Sequence, residues 1–487
     1  MSAVLNDLKS IIDQNLKVSS SDFKTKGYVI SVKDGIAEVN GLNSAMFFEK
    51  IVCVSKGIEA VVLNLENFKV GAAVLGDYTK LESGDEFETT GEVITIPVYE
   101  EIIGSVVNGI GKELISKSLT RTNLKNVEVE KIAPGVIQRK PVDTPMQTGI
   151  LAIDSAVPIG RGQRQLIIGD RSTGKTRIAL DAILNQKNET NPMICIYVAI
   201  AQKNSKISEI YETLKENGAD KYTIIVNASA ANSVVEQFFA PYTGTAIAEY
   251  FLNQGKDVLI IYDDLTKHAW AYRQISLTLR RPPGREAYPG DIFYLHSKLL
   301  ERACRLNEAN GGGSITALPI VETQFGDVSS YIPTNIISIT DGQIYLDKDL
   351  FNSNIRPAVD VRNSVSRVGG AAQIKDMKKA AGNIRLDIAS FKELEAFSQF
   401  GGSELDSETI KKISKGKKVI ELLKQNEGAP LKVLTQVAIL KALNTGKFDE
   451  IEIEKIAETK AALINFVNDI QSADQIDQSI NDFFISN

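Results

Sequence analysis

Cysteine, histidine and tryptophan are scarce in this chain: three, two and one in 487 residues. Cys53, Cys195 and Cys304 lie far apart and form no C-x-x-C. That excludes a disulfide framework, a zinc cluster or a dithiol redox site as the basis of function. Cys195 sits in the apolar run Met193–Val198, where a buried, reduced thiol is expected. His268 and His296 are too few to build a histidine metal centre. No apolar stretch reaches the roughly eighteen residues that a membrane-spanning helix needs. The opening MSAVLNDLKSIIDQNLKV is amphipathic, mixes acids with bases and lacks the apolar centre of a secretory signal, so an intracellular chain is expected. The formal net charge of −6 leaves no general basic surface, and no nucleic-acid partner is expected. Low-complexity tracts and internal repeats are also missing.

What is there is an ordinary globular composition, 43% hydrophobic and 24% charged, on a chain too long for one core. Three segments differ in pattern. Residues 25–95 carry short strand-like runs, among them Tyr28–Val32 and Ile36–Val39 around a Lys33-Asp34-Gly35 hairpin signal, then Ile58–Leu65, Ala72–Leu75 and Gly91–Ile96. Closely spaced strands with glycine turns predict a small β-barrel. Residues 96–380 alternate strand candidates (165–168, 193–200, 222–227, 257–262, 314–320 and 336–339) with helical patterns, which predicts a mainly parallel sheet covered by helices. Residues 381–487 lose strand character. Val419, Leu422 and Leu423, then Val433, Val437 and Leu440, recur at helical spacing and predict a helical bundle. Residues 1–24 are expected to form a separate N-terminal helical segment. The lysine-rich run 411–418 is read as a solvated helix face.

One octet fixes a ligand class. Gly169-Asp170-Arg171-Ser172-Thr173-Gly174-Lys175-Thr176 follows the apolar run Gln165–Ile168 and precedes a helix start, matching the phosphate-cradling P-loop G-x-x-x-x-G-K-[ST]. The glycines let backbone N–H groups wrap a phosphate, and the helix N-terminus adds partial positive charge. Lys175 is expected to reach the terminal phosphates of ATP or ADP and the Thr176 hydroxyl to hold Mg²⁺. The run Asp257–Asp264 reads as an apolar strand ending in acids. Asp263 is the expected second contact to the metal's water shell, on a strand neighbouring that of the P-loop.

Longer strings narrow the reading. Residues 280–296 are RRPPGREAYPGDIFYLH, residues 311–345 GGGSITALPIVETQFGDVSSYIPTNIISITDGQIY, and residues 355–373 IRPAVDVRNSVSRVGGAAQ. With IAPGVIQRKPVDTPMQTGILAIDSAVPIGRGQRQLIIGD upstream, the chain resembles the α subunit of F-type rotary ATPases over about residues 25–460. The resemblance implies a β-barrel crown, a RecA-like P-loop NTPase domain and a C-terminal helical bundle. It also implies a ring of three α-type and three β-type subunits around a γ-type rotating shaft, with a peripheral-stalk subunit at the N-terminus. Such a subunit is cytoplasmic and meets the inner face of the cell membrane only through its complex, which couples ATP synthesis or hydrolysis to proton or sodium transport.

The resemblance also assigns roles. Gln202 stands where catalytic relatives carry the glutamate that positions the attacking water. An amide cannot take that proton, which implies a regulatory, non-catalytic site. Arg367, with Ser364, lies in the string that supplies an arginine finger in trans to the β-type subunit. Arg356, Pro357 and Gln425 match the adenine pocket, and residues 286–292 match the sleeve around the shaft. The chain departs from the pattern at Ser172, usually Gln; at Glu427, usually a second adenine-pocket Gln; at Arg362-Asn363; around Gly109–Ile115; and in a short loop at Asn310–Gly313. These departures leave open an α-like subunit of a dedicated hydrolytic motor with mechanical output. A self-sufficient hexameric P-loop ATPase is the third reading, against which Gln202 argues.

Overall fold

A computed structural model describes residues 24–399, 407–468, 470 and 472–486. The expected N-terminal helical segment lies outside these residues except for Lys24. Six strands, β1 (Lys26–Lys33), β2 (Ile36–Gly41), β3 (Glu49–Cys53), β4 (Ile58–Leu65), β5 (Lys69–Leu75) and β6 (Glu86–Val93), close into a barrel in the order β1-β2-β5-β4-β3-β6. The predicted hairpin forms: Lys33 pairs with Ile36 across Asp34 (φ 51°) and Gly35 (φ 80°). Two consecutive left-handed residues give the turn whose twist matches that of the flanking strands. Val39, Ile51, Val62, Val74 and Phe87 fill the interior, and closure removes the edges that would otherwise recruit foreign strands.

The chain then passes through β7 (Thr95–Val98), β8 (Val106–Asn108), β9 (Glu113–Ile115) and β10 (Lys125–Glu128), of which β7 and β10 pair as a ribbon. A second ribbon joins β11 (Pro145–Met146) to β12 (Ile159–Gly160). The main sheet adds β13 (Leu166–Asp170), β14 (Ile194–Ile200), β15 (Thr223–Ala228), β16 (Asp257–Asp263), β17 (Ser314–Thr323), β18 (Gly342–Leu346) and β19 (Val365–Ser366). Its order is β19-β18-β13-β17-β16-β14-β15-β8-β9. The interior pairings are parallel, and only the outermost strands β19 and β9 run antiparallel. Strands such as β14 and β16 are nearly continuous apolar runs because helices cover both faces. Burial pushes the Cys195 thiol up, as expected of an inert thiol inside such a strand.

Three expectations are corrected. The run Ile336–Ile339 is the end of a helix, Tyr331–Ile339, and not a strand. Pro333 sits in its first turn, and Ile332, Ile336 and Ile339 are buried at helical spacing, so period and proline placement outweigh β-branched content. β16 does not neighbour the P-loop strand, because β17 lies between β16 and β13. Lys418 is not solvated. It is 7% exposed, and its ammonium donates to the carbonyls of Phe448 (3.0 Å) and Asp449 (2.6 Å), tying the helix Ser407–Leu423 to the loop after the helix Val433–Asn444.

The two histidines meet in the core between the helices Leu265–Thr278 and Ile292–Leu300. His268 Nε2–H donates to the Phe238 carbonyl (3.1 Å), which leaves Nδ1 to accept from His296 Nε2–H (3.1 Å). Burial pushes His268 down to about 4 and His296 well below the usual imidazole value. Both are neutral in the fold, whereas in the unfolded chain both protonate near pH 6.5. A depressed imidazole contributes stability that is present above its unfolded pKa and lost as pH falls toward the folded one. The expected result is a loss of roughly 3 kcal/mol from His268 alone between about pH 6.5 and about 4. It is read as a fall in thermal midpoint that is shallower in a His268→Gln/His296→Gln chain.

Candidate functional site

The P-loop leaves the carboxyl end of β13 and feeds the helix Lys175–Asn185. Gly174 has φ 98°, and a Cβ on Gly169 would stand 2.6 Å from the Leu346 carbonyl oxygen, so both positions require glycine. Arg171 and Ser172 are exposed at the crest of the loop, with Ser172 itself left-handed at φ 65°. Thr173 and Asp170 brace the loop. Thr173 Oγ1 donates to the Asp170 carbonyl (2.8 Å), and the Asp170 carboxylate accepts from Thr323 Oγ1 (2.7 Å) and Gly326 N–H (2.8 Å). Asp170 therefore anchors the loop to β17 and the turn after it. The Lys175 ammonium donates to the Gly169 carbonyl (2.8 Å) and the Asp170 carbonyl. Burial pushes its pKa down, while the carboxylates of Glu322, Asp264, Asp263 and Asp170 hold it up.

Asp263 is the hub on the other side. One carboxylate oxygen accepts from Thr176 Oγ1 (2.7 Å) and from the Tyr197 hydroxyl (2.5 Å). The other accepts from Gln202 Nε2 (3.0 Å), which also reaches the Asp263 carbonyl (3.3 Å). Although β17 separates the two strands, the helix Lys175–Asn185 carries Thr176 across to Asp263. Thr176 hydroxyl, Asp263 carboxylate, Lys175 ammonium and the loop N–H groups form a donor set whose chemistry fits a magnesium–polyphosphate. Gln202 contributes only an amide, and that amide already holds Asp263. The neighbouring Asp264 is pushed up to about 6 by burial, opposed by Lys267 and reinforced by Asp263.

A cavity of about 330 Å³ opens beside the loop. Thr173 and Gly174 of the loop line it together with Ile178, Phe351, Arg356, Pro357 and Gln425. The expected pocket residues thus meet the P-loop in space. Gln425, however, spends its amide on the backbone: Oε1 accepts from Leu151 N–H (3.1 Å), and Nε2 donates to the carbonyls of Gly149 (2.8 Å) and Ala429 (2.9 Å). The Arg356 guanidinium lies 4.4 Å over the Phe351 ring.

Arg367 is not brought to this site. β19 pairs with the start of β18, Ser366 opposite Gly342 and Val365 opposite Gln343, and Gln343 in turn lies beside Leu166. Arg367 therefore stands at the amino end of the strands. The P-loop is at their carboxyl end, about 15–20 Å away at ~3.3 Å per residue. Arg367 is exposed, and among the described residues its guanidinium makes no hydrogen bond or ion pair, although its N–H holds the Asp341 carbonyl (2.9 Å). Ser364 is fully buried. Its hydroxyl donates to the Asp360 carbonyl (2.6 Å) and accepts from Tyr345 N–H (2.9 Å), closing the turn that leads to Arg367.

Sequence reasoning missed Tyr197, Asp181 and Arg177. Tyr197 is one more aromatic in an apolar strand, and nothing in its neighbours signals a contact to Asp263. Asp181 sits four positions after Arg177 and three after Ile178 on the same helix, so helical spacing brings it to the cavity they line. Arg177 is adjacent to the octet but lies outside its pattern.

Comparisons with known proteins agree with this geometry. The ATP synthase alpha/beta family nucleotide-binding domain matches residues 149–366, the family's beta-barrel domain residues 23–91, and the C terminal domain of the alpha/beta chain residues 373–483. The ATP synthase subunit alpha of Dehalococcoides mccartyi is 52% identical over 469 residues, covering 96% of this chain and 92% of the relative. That of Macrococcus caseolyticus is 55% identical over 441 residues, covering 91% and 87%. A barrel, a P-loop sheet and a helical domain in this order, matched along nearly the whole length, place the chain in the ATP synthase alpha/beta family.

Proposed function

We propose that the chain is a non-catalytic α-type subunit of an F1-type rotary ATPase, holding Mg-ATP at its own P-loop and serving the chemistry of a neighbour. The observation that carries this reading is the Asp263 hub. Thr176 and Asp263 are set to hold a magnesium shell, yet the residue that faces them from the end of β14 is the amide of Gln202. Thr176 and Asp263 would hold magnesium, which would supply positive charge to the bound phosphates. Lys175 would turn from the loop carbonyls to the terminal phosphates, and the loop N–H groups would orient them. Neither Asp263 nor Gln202 is free to take a proton from water as a carboxylate base does. Asp263 is engaged by three donors, and Gln202 is an amide.

In this reading the chain alternates with β-type subunits in a ring of three and three around a γ-type shaft. The segment 286–292 lies near the shaft, and the N-terminal segment meets a peripheral-stalk subunit. Arg367 serves as the arginine finger for the β-type site. Ser364 is a positioning residue that holds the turn from which Arg367 projects. The ring supports ATP synthesis or hydrolysis coupled to ion movement and meets the membrane only through other subunits. The domain limits proposed are 25–95, 96–380 and 381–487.

Two measurements test this. The purified full chain should bind Mg-ATP and hydrolyse none, and Lys175→Ala should weaken binding about 10- to 100-fold, the worth of one charge-assisted hydrogen bond. Robust hydrolysis by the chain alone would overturn the non-catalytic assignment. Subunits co-eluting from the native cell decide the output: a membrane ring marks a synthase, and its absence marks a hydrolytic motor with mechanical output.

A further inference from the structure

Arg367 follows a short segment that side chains from three places hold in position. Its own N–H donates to the Asp341 carbonyl (2.9 Å). Just ahead of it, the Gln163 amide donates to the Ser366 hydroxyl (3.3 Å), and the Gln165 amide donates to the Val365 carbonyl (2.9 Å). The Ser364 carbonyl accepts from the Arg385 guanidinium (2.9 Å). Gln163 and Gln165 are fully buried at the approach to the P-loop strand. Arg385 comes from elsewhere. It lies in the first turn of the helix Ile384–Gln399, inside the stretch that matches the family's C terminal domain. Its other terminal nitrogen donates to the carbonyl of Ala156 (3.0 Å), the last residue of the helix Leu151–Ala156. The final carbonyls of a helix have no partner within it. Here the Gln373 amide serves those of Asp154 (2.8 Å) and Ser155 (3.0 Å), and Arg385 serves the next. Both Arg385 bonds run from a charged donor to a backbone oxygen, the stronger class of hydrogen bond.

We propose that Arg385 is a positioning residue that fixes where Arg367 stands, so that the C-terminal helical domain sets the reach of Arg367 into the neighbour's site. The inference rests on the reading of Arg367 as an arginine finger. Arg385 acts through backbone. β19 (Val365–Ser366) joins the Ser364 carbonyl to Arg367, it is paired to β18, and its planar peptide units leave little slack. A guanidinium donates from separate nitrogens in fixed directions. The Ala156 and Ser364 carbonyls therefore cannot move apart, or away from the helix Ile384–Gln399, without loss of one of the two bonds. A shift of that helix against the helix Leu151–Ala156 pulls on the Ser364 carbonyl and carries to the turn that presents Arg367. Misplacement of a group by about 1 Å at a reacting centre costs up to roughly 10²-fold in rate, so a small displacement of the domain is enough to weaken the finger.

The test is turnover by the ring assembled with its β-type and γ-type subunits and carrying the unaltered chain, Arg385→Met, Arg367→Ala or both changes. Arg385→Met is expected to lower kcat about 10- to 100-fold while KM stays within about threefold. Mg-ATP binding to the isolated chain and its thermal midpoint are expected to be unchanged. Arg385 is exposed, and methionine keeps an unbranched stem there, so the core is untouched. The double variant is expected to be no more than about threefold slower than Arg367→Ala alone, because a group that acts through another has no effect once the other is gone. A kcat within about threefold of normal in Arg385→Met, or losses that multiply in the double variant, would overturn the positioning role and leave the finger in place. Lost turnover accompanied by a lowered thermal midpoint or by failure to assemble would make Arg385 a staple of the fold and overturn the role as well. Normal turnover in Arg367→Ala would overturn the finger reading and this inference with it.

Discussion

Replacing Arg367 by alanine in the assembled ring is expected to lower turnover by about 10³- to 10⁵-fold, the range that separates sites with and without an arginine finger. Arg367→Lys should fall nearly as far, because an ammonium has neither the planar fork nor the fixed reach of a guanidinium. The geometry specifies where the loss must be felt. Arg367 is about 15–20 Å from this chain's own P-loop, at the opposite end of the parallel strands, so its removal should leave Mg-ATP binding to the isolated chain unchanged. The pattern to look for is a collapsed kcat in the ring beside unaltered binding in the chain. Near-normal turnover by a ring of variant subunits would remove the assignment. Equal losses in ring turnover and chain binding would show that Arg367 acts on the fold instead. The free guanidinium argues for an external partner. Most arginines that matter to the fold here are bound, as Arg164 is to Asp341 and Glu301.

The second large effect is on stability. Arg302 is 1% exposed, and its guanidinium makes a two-point pair with the Glu249 carboxylate (2.8 and 2.9 Å) and donates to the Val129 carbonyl (2.9 Å). It links the turn following the helix Ile292–Leu300, the long helix Val234–Leu252 and the segment after β10. Arg302→Met leaves a carboxylate buried without its partner, which is expected to cost about 3–5 kcal/mol. Removing both charges, in Arg302→Met with Glu249→Met, should restore most of that loss, because two charges taken out of water contribute little net stability over apolar groups of like volume. Thermal midpoints of the two single variants and the double variant give the coupling directly. Additive losses in the double variant would show that the pair is not the source of the effect.

How much of this was readable without coordinates depended on how far apart the partners lie along the chain. The P-loop is written in eight consecutive residues between an apolar strand and a helix start, and the Asp34-Gly35 hairpin in two. Cys195 declares its burial by its neighbours. Each is local chemistry, and each appears in the structure as expected. The three-part architecture followed from changes of period along the chain, and long strings of family-like sequence tied it to rotary ATPases.

Short-range pattern failed where packing overrides it. Ile336–Ile339 has β-branched content, but its burial follows a helix begun several residues earlier. Lys418 sits in a lysine run, but the neighbouring loop turns its carbonyls toward it. Sequence alone therefore determined the ligand class, the order of domains and the inert thiols, because contiguous residues carry those properties. Tertiary structure alone decided that Thr176 reaches Asp263 across an intervening strand, that Gln425 spends its amide on the backbone while Arg177 and Glu427 line the cavity beside the P-loop, and that Arg367 stands away from the P-loop in its own chain. Each of those facts is a pairing across tens to hundreds of residues. Strand order and register set such pairings, and no local pattern encodes them.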